Sequence, residues 1–469
     1  MRLNTRFYAA LFGFFVAFIG NAQTLSTLSN LKPRVDTTGE IVRAHQGCLL
    51  QSDGLFYLYG VDQSIQCYRS IDLNVWEPVA VNLKPNQEGI IHQPKVLYNQ
   101  KTGYFVLWFL WVDAQGLSHY AVAKSKKPTG TFQLVHSDVK MFNQVDGLSS
   151  FNVFVDVDGI GYLAYTTERN LGVSVEVLSE DYLSSSLKNG GYFVSGYQVE
   201  SMFARNGKYY VLMDKVNQFD IKGSGSRVYV SNRPLDSYVF RRNINRYPGT
   251  PAAILVDKKL EPNLYATIQK LQNGNYAPVE LEFDAPVRLD CVKMVLFTGN
   301  RVQATPAVYD PIRTPVMEVQ QWKNGGWVSI PSSQTAYTSS VYTIVSLRFS
   351  EVENQRLRIR FASAHNSTIF MNEIETSLHY VPVSIACQAY VCNLDDAHCL
   401  PRIPGQNIGV FPIRTKAGLH YIWMADLWGS ASDNQTSHDY QYWSKPLEFS
   451  DFGDIEPLQW SDRWSLQFP

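Results

Sequence analysis

Gly47-CLLQSDGLFYLYG-Val61 is an apolar strand, a turn carrying Gly54, and a second strand that opens on an aromatic residue. The pattern returns as Pro94-KVLYNQKTGYFVLW-Phe109, Asn152-VFVDVDGIGYLAY-Thr166, Ser201-MFARNGKYYVLM-Asp214 and Gly409-VFPIRTKAGLHYIWMA-Asp426. A third strand follows each copy and ends near a serine: Ser70, Ser125, Ser179, Ser231 and Ser444. Turn residues and an aromatic come next (Trp76, Phe132, Tyr182, Phe240, Phe449). Hairpin-linked strands at this spacing build a four-stranded blade. A period of about 50 residues over five copies predicts an all-β chain, a five-bladed β-propeller.

Between the fourth and fifth copies the period is lost. Pro278-VELEFDAPVRLDCVKMVLF-Thr298 alternates apolar and polar residues, as half-buried antiparallel strands do. Val316-MEVQQWKNGGWVSI-Pro331 reads as a hairpin around Gly325-Gly326. Tyr342–Ser350, Gln355–Ala362 and Thr368–Thr376 are further expected strands. The expected organisation is therefore a propeller over 23–245, a β-sandwich insert over 246–381, and a return segment with blade five over 382–469.

Composition narrows the function. Lys+Arg 41 against Asp+Glu 42 gives a net charge of -1 with no long basic run, so a phosphate-binding footprint is missing and nucleic acid is not expected as a partner. Aromatics reach 13%, which suits both packed blades and stacking on sugar rings. Residues 1–22 read as a cleaved secretory signal: Arg2 and Arg6, an apolar Phe7–Ile19, then Gly20-Asn21-Ala22. That apolar run of about 13 residues falls short of the roughly 20 that span a bilayer, so a secreted chain with no membrane span is expected. Asn366-Ser367-Thr368 and Asn434-Gln435-Thr436 are glycosylation acceptors if the host is eukaryotic. In an oxidising compartment, Cys387, Cys392 and Cys399 should hold one disulfide, and Cys48 is placed to pair with Cys67. No metal or other cofactor is expected; Asp156-Val157-Asp158-Gly159 lacks the Glu that would complete a calcium loop and reads as a hairpin turn.

The repeats resemble glycoside hydrolase family 43, and within it the exo-β-1,3-galactanase branch. The resemblance is carried by Ala44-His45-Gln46-Gly47, Cys67-YRSIDLNV-Trp76, Pro94-KVLYNQKT-Gly103, Pro128-TG-Thr131, Phe154-VDVDGIGYLAY-Thr166, Asn206-GKY-Tyr210 and Trp423-MADLW-Gly429. The insert resembles a discoidin-type jelly roll, from VELEFDAPVRLD (279–290) to RLRIRF (356–361) and NEIE (372–375).

The resemblance implies an axial funnel with carboxylates at its mouth. Inverting hydrolysis needs an acid to protonate the leaving oxygen and a base to activate water. Where the family has a Glu before the Pro-Lys of blade two, this chain has His92 and Gln93. Ser149 and Ser150 occupy the place of the blade-three Asp, and counting back from Phe203 to the blade-four Glu lands on Gln198, with Glu200 two residues late. Gln406 matches a Gln that replaces the base in the galactanase branch. His45, Lys95, Glu168, Asn170, Asp426 and Trp428 match further funnel positions. Two readings follow. One is a secreted protein that binds a poly- or oligosaccharide such as β-galactan on a degenerate hydrolase propeller. The other is an active inverting glycosidase with Glu200 as acid and Gln406 orienting water. The sugar, its linkage and the oligomeric state stay open at this point.

Overall fold

The computed structural model describes residues 24–84, 89–215, 223–261, 264–271, 274–297, 316–323, 326–338, 342–361, 368–392 and 399–468. The expected signal segment, the expected acceptor at Asn366 and the turn expected at Gly325 lie outside them. The chain is nearly all β, and five blades form a ring. Blade one is His45–Ser52, Leu55–Asp62, Ser64–Ser70 and Glu77–Pro78. Blade two is Ile90–Asn99, Tyr104–Val112, Ser118–Ser125 and Gly130–His136, with Val81–Lys84 added in parallel at its outer edge. Blade three runs from Phe151–Val155 to Ser185–Asn189, and blade four from Gln198–Arg205 to Val239–Asn243. The first strands meet in order round the axis, and blade five closes on blade one.

Local chemistry explains why the unit repeats. In blades one to four the serine at the end of the third strand closes the next turn through its side chain, as Ser70 Oγ does by accepting from Asp72 N and Leu73 N. Ser125 Oγ accepts from Lys127 N, Ser179 Oγ from Ser184 N and Ser231 Oγ from Arg233 N in the same way. The aromatics that follow fill space between blades: Trp76 and Phe132 are fully buried, and Tyr182 hydroxyl donates to Gly159 O at 2.6 Å. Separate apolar clusters lie between blades two and three, three and four, and four and five, while a fourth joins blades one, two and five.

Blade five departs from the expected four strands. It has three, Gln406–Thr415, Gly418–Trp428 and Asp439–Pro446. Beside it, Thr24–Ser29 pairs antiparallel with Arg463–Phe468, and Leu28, Trp464, Leu466 and Phe468 join the core of blades one and five. The two chain ends thus seal the ring. Asn30, fully buried, fixes this seam by donating to Trp443 O and Ser461 O and accepting from Trp443 N.

The chain leaves the propeller after blade four and returns beside its own exit. Asn245 O accepts from Arg402 N, and Asn245 Oδ1 accepts from Ile403 N. Adjacent exit and return points are what let a surface loop accept an inserted domain. The insert has its own core, centred on Leu281, Leu289, Met294, Leu347, Leu357 and Ile359. Its spine is Val279–Phe297, which shifts register between Glu282 and Val287 and so turns the sheet over that core. Two strands expected at 342–350 and 355–362 are one long strand, Tyr342–Phe361, paired along the spine.

Cysteine chemistry differs from expectation. All six cysteines are free thiols. Cys48 and Cys67 both face Tyr59, from strands on either side of it. Two strand spacings put their Cα atoms roughly 9.5 Å apart, beyond the roughly 7 Å a disulfide spans. Cys387 and Cys392 begin and end one extended strand, Cys387–Cys392, and cannot meet. That strand pairs with the spine, so a segment expected in the return to blade five belongs to the insert's sheet.

Asn30→Ala should remove three buried hydrogen bonds and leave Ser461 O and Trp443 N without that partner, while Trp443 O keeps Trp464 Nε1. We expect a loss of about 3 kcal/mol, read as a lower urea midpoint at unchanged slope.

Candidate functional site

The funnel floor is made by irregularities in the first strands. Blade one pairs His45 with Val61 and then Cys48 with Tyr59, leaving Gln46-Gly47 opposite Gly60. Blade two skips from His92 to Lys95, blade four from Val199 to Ser201, and blade five from Asn407 to Gly409. Such bulges bend a strand and re-aim a side chain. Gln46 and Gln93 take equivalent left-handed conformations, φ 57° and 51°. Each costs roughly 1–3 kcal/mol and persists only where the surroundings fix it. Here Gln46 N donates to Asp426 Oδ2 at 2.8 Å, and Phe151 N donates to Gln93 Oε1 at 3.2 Å.

Gln46, Gln93, Ser150, Gln198, Glu200 and Gln406 converge on one small cavity of about 20 Å³. By size it admits a single water and no sugar ring. Ser150 Oγ is buried with no hydrogen-bond partner. Gln198 Nε2 donates to Ser149 Oγ at 3.4 Å. Trp428 Nε1 donates to Gln406 Oε1 at 2.9 Å, and the Trp428 ring lies 4.7 Å from the His45 ring. His45 Nδ1 sits 3.2 Å from Asp426 Oδ1, and His92 Nδ1 3.2 Å from Gln46 Oε1. Burial pulls the His45 pKa down, but the Asp426 carboxylate outweighs it, and the net shift is upward. Burial alone lowers that of His92.

Glu200 is the one carboxyl among the described residues that line this cavity. It sits in the blade-four bulge, 5% exposed, with Oε2 accepting from Asn407 Nδ2. Oε1 is buried and has no partner. Burial, then the charge of Asp214, pushes its pKa well above the usual carboxylate range; Asn407, Ser224 and Arg246 offset only part of this. Burial therefore favours the protonated form of Glu200 over the carboxylate. Asp426, fully buried, has its oxygens turned to Gln46 N and His45 and acts as a clamp between blades five and one.

Six expected funnel residues, His45, His92, Glu168, Asn170, Asp426 and Trp428, do not line this cavity. Asn170 Oδ1 accepts from Thr167 Oγ1 at 2.7 Å and Gly172 N at 2.8 Å, so it shapes a turn. Glu168 is exposed on the same loop, beside Gly147. The partners that set Glu200's character, Asn407 and Asp214, carried no motif; only the proximity of Asn407 to Gln406 in the chain pointed there.

Compared as a sequence, the chain matches no family profile and no curated protein. Compared as a structure, it superposes on the exo-β-1,3-galactanase of Clostridium thermocellum over 93% of its length (TM-score 0.52, 18% identity). The fold is that of the family 43 galactanases. A second such protein, a GH43 β-1,3-galactosidase, matches over 94% of this chain (TM-score 0.53, 16% identity). Another GH43 β-1,3-galactosidase, solved with galactodeoxynojirimycin, matches over 93% (TM-score 0.53, 17% identity). The chain spans 66% and 64% of the first two proteins and 99% of the third. On this family 43 fold, the amides Gln93 and Gln198 and the hydroxyl Ser150 line the funnel where the sequence resemblance implies carboxylates.

The raised pKa of Glu200 has a thermodynamic signature. Between the unfolded carboxyl's pKa and its raised folded value, the folded chain holds the extra proton, so stability falls as pH rises. Glu200→Gln abolishes that fall. The stability of the variant relative to wild type should climb as pH rises above the unfolded carboxyl's pKa, by at most about 1.4 kcal/mol per pH unit, and level off once the folded carboxyl ionises, in urea titrations at several pH values.

Proposed function

We propose that this chain is a glycan-recognising protein whose funnel binds the hydroxyls of a galactan-type oligosaccharide without cleaving it. The observation that carries this reading is the floor itself: amides of Gln46, Gln93, Gln198 and Gln406, the free hydroxyl of Ser150, and a single carboxyl, Glu200. Amides and hydroxyls donate and accept at once, which suits the hydroxyls of a sugar ring. An inverting hydrolase needs two separated groups for acid and base work. Glu200 supplies an acid, but Asp426 is spent on Gln46 and His45 and cannot act as its partner. A sugar ring too large for the cavity would reach Glu200, Ser150 and Gln198 alike only through the water that fits there. The choice of galactan follows the fold-level neighbours, one named an exo-β-1,3-galactanase and two named β-1,3-galactosidases.

A second reading has its own support. The unpartnered Oε1 and raised pKa of Glu200 are what a general acid requires, and Gln406 would then orient the water. On either reading we propose a secreted protein, on the strength of Arg2, Arg6 and the apolar run before Ala22. The discoidin-like character of the insert belongs to the same proposal and rests on its sequence strings.

Titration of β-1,3-galacto-oligosaccharides by calorimetry tests the funnel. Ser150→Ala removes a hydroxyl that has no partner in the protein, so folding should be untouched while affinity falls about tenfold; Gln198→Ala should do the same. Glu200→Gln should bind within about twofold of wild type. Affinity that ignores Ser150→Ala and Gln198→Ala would overturn the proposed site.

A further inference from the structure

A second cleft lies far along the chain's own logic from the funnel, where blade four meets the insert. It has a volume of about 380 Å³, in the range of small-ligand pockets. One wall is the outer edge of blade four and the exit strand, with Arg242 and Arg246. The other is the insert hairpin, with Trp322, Trp327 and the adjoining Arg356 and Arg358.

Its charge is unusual for a domain seam. Seven arginines line it, Arg227 among them, and the other six share five carboxylates: Arg241 with Asp454, Arg242 with Glu456, Arg246 with Asp214, Arg402 with Glu282, and both Arg356 and Arg358 with Glu280. Only Glu280 of those five acids lines the cleft itself. Arg356 Nη1 is buried with no acceptor, although Nη2 reaches Glu280 Oε2 at 3.2 Å. A buried guanidinium donor without a partner is costly and asks for an anion. Burial, then repulsion from Arg356, lowers the Arg242 pKa to about 9, so the cations strain against one another as they stand.

The aromatic lining adds shape. Arg356 Cζ lies over the Trp322 ring, 4.7 Å from its centre, and Arg358 Cζ over that of Trp327 at 4.2 Å, so guanidinium groups sit over indole faces. Trp322 and Trp327 meet edge to face across the hairpin. Flat apolar faces beside fixed guanidinium forks match a ring with an apolar face and a carboxylate on its rim. At Gly326, between them, an added side chain would meet open space.

We propose that this cleft is a second binding site, for an acidic saccharide whose uronate carboxylate is received by Arg356 and whose ring lies on the indole faces. The saccharide half rests on the glycan reading of the fold; the anion half rests on the arginines alone.

The test is calorimetry on the full chain with digalacturonate and with the neutral disaccharide obtained by reducing its carboxyls. Digalacturonate should bind at least tenfold more tightly, and the preference should shrink as salt is raised. Gly326→Phe fills the cleft while keeping every ion pair, and Arg356→Gln removes the receiving group; each should cost at least tenfold in digalacturonate affinity. Neither should change binding of neutral galacto-oligosaccharides, and Ser150→Ala should leave digalacturonate unaffected. Equal affinity for the acidic and neutral disaccharides would overturn the proposal. So would wild-type affinity in Gly326→Phe, or a loss in Ser150→Ala, which would move the acidic sugar to the funnel. If galacto-oligosaccharides fail to bind while digalacturonate binds as stated, the funnel reading fails and this one stands.

Discussion

A single ammonium group holds the propeller's axis together. Lys95 sits fully buried just after the blade-two bulge, and its Nζ donates to Gly47 O of blade one at 2.6 Å and Ile408 O of blade five at 3.3 Å. Both carbonyls belong to bulges, where the strand ladder is interrupted. Burial drags the Lys95 pKa down to about 8, against the opposing pull of Cys48 and Asp426. The ring tolerates that cost because three blades converge on the one side chain that can satisfy them.

The site inherits its character from this arrangement. With a cation already at the axis, Asp426 clamps blade five to blade one, and Gln46 is held in its left-handed turn with its amide toward the funnel. The blade-four bulge carries Glu200 into the same floor, onto Asn407, where burial and then the field of Asp214 favour its protonated form. On the proposed reading, a floor of amides and a hydroxyl, with the Lys95 ammonium turned to backbone carbonyls, suits sugar hydroxyls better than it suits polarising water. The interdomain cleft is the electrostatic opposite, an excess of guanidinium donors between aromatic walls.

What the sequence disclosed was local and repetitive. The five hairpins, their serines and most of their packed aromatics were legible because each copy follows the same turn chemistry and the same strand period. Gln406, Gln198 and Ser150 were legible through resemblance. The bulges were not, since one unpaired residue leaves no mark in an alternating pattern; hence the doubt over whether Gln198 or Glu200 faces the funnel, when both do. Asn170 shapes a turn, and a turn-forming Asn and a ligand-binding Asn read alike in the sequence. The cysteines misled because spacing along the chain says nothing about the strand that stands between Cys48 and Cys67. Blade five's missing fourth strand, with the chain-end pair beside it, depends on ends that meet only in space.

The central claim is that the funnel recognises a sugar and does not cleave it. Proton NMR of β-1,3-galactobiose with the wild-type chain tests this in one sample. Saturation transferred from the protein should reach the sugar's ring protons, while the anomeric signals of free galactose stay absent through prolonged incubation. A growing anomeric signal of released galactose that disappears in Glu200→Gln would contradict the account and make the chain a hydrolase.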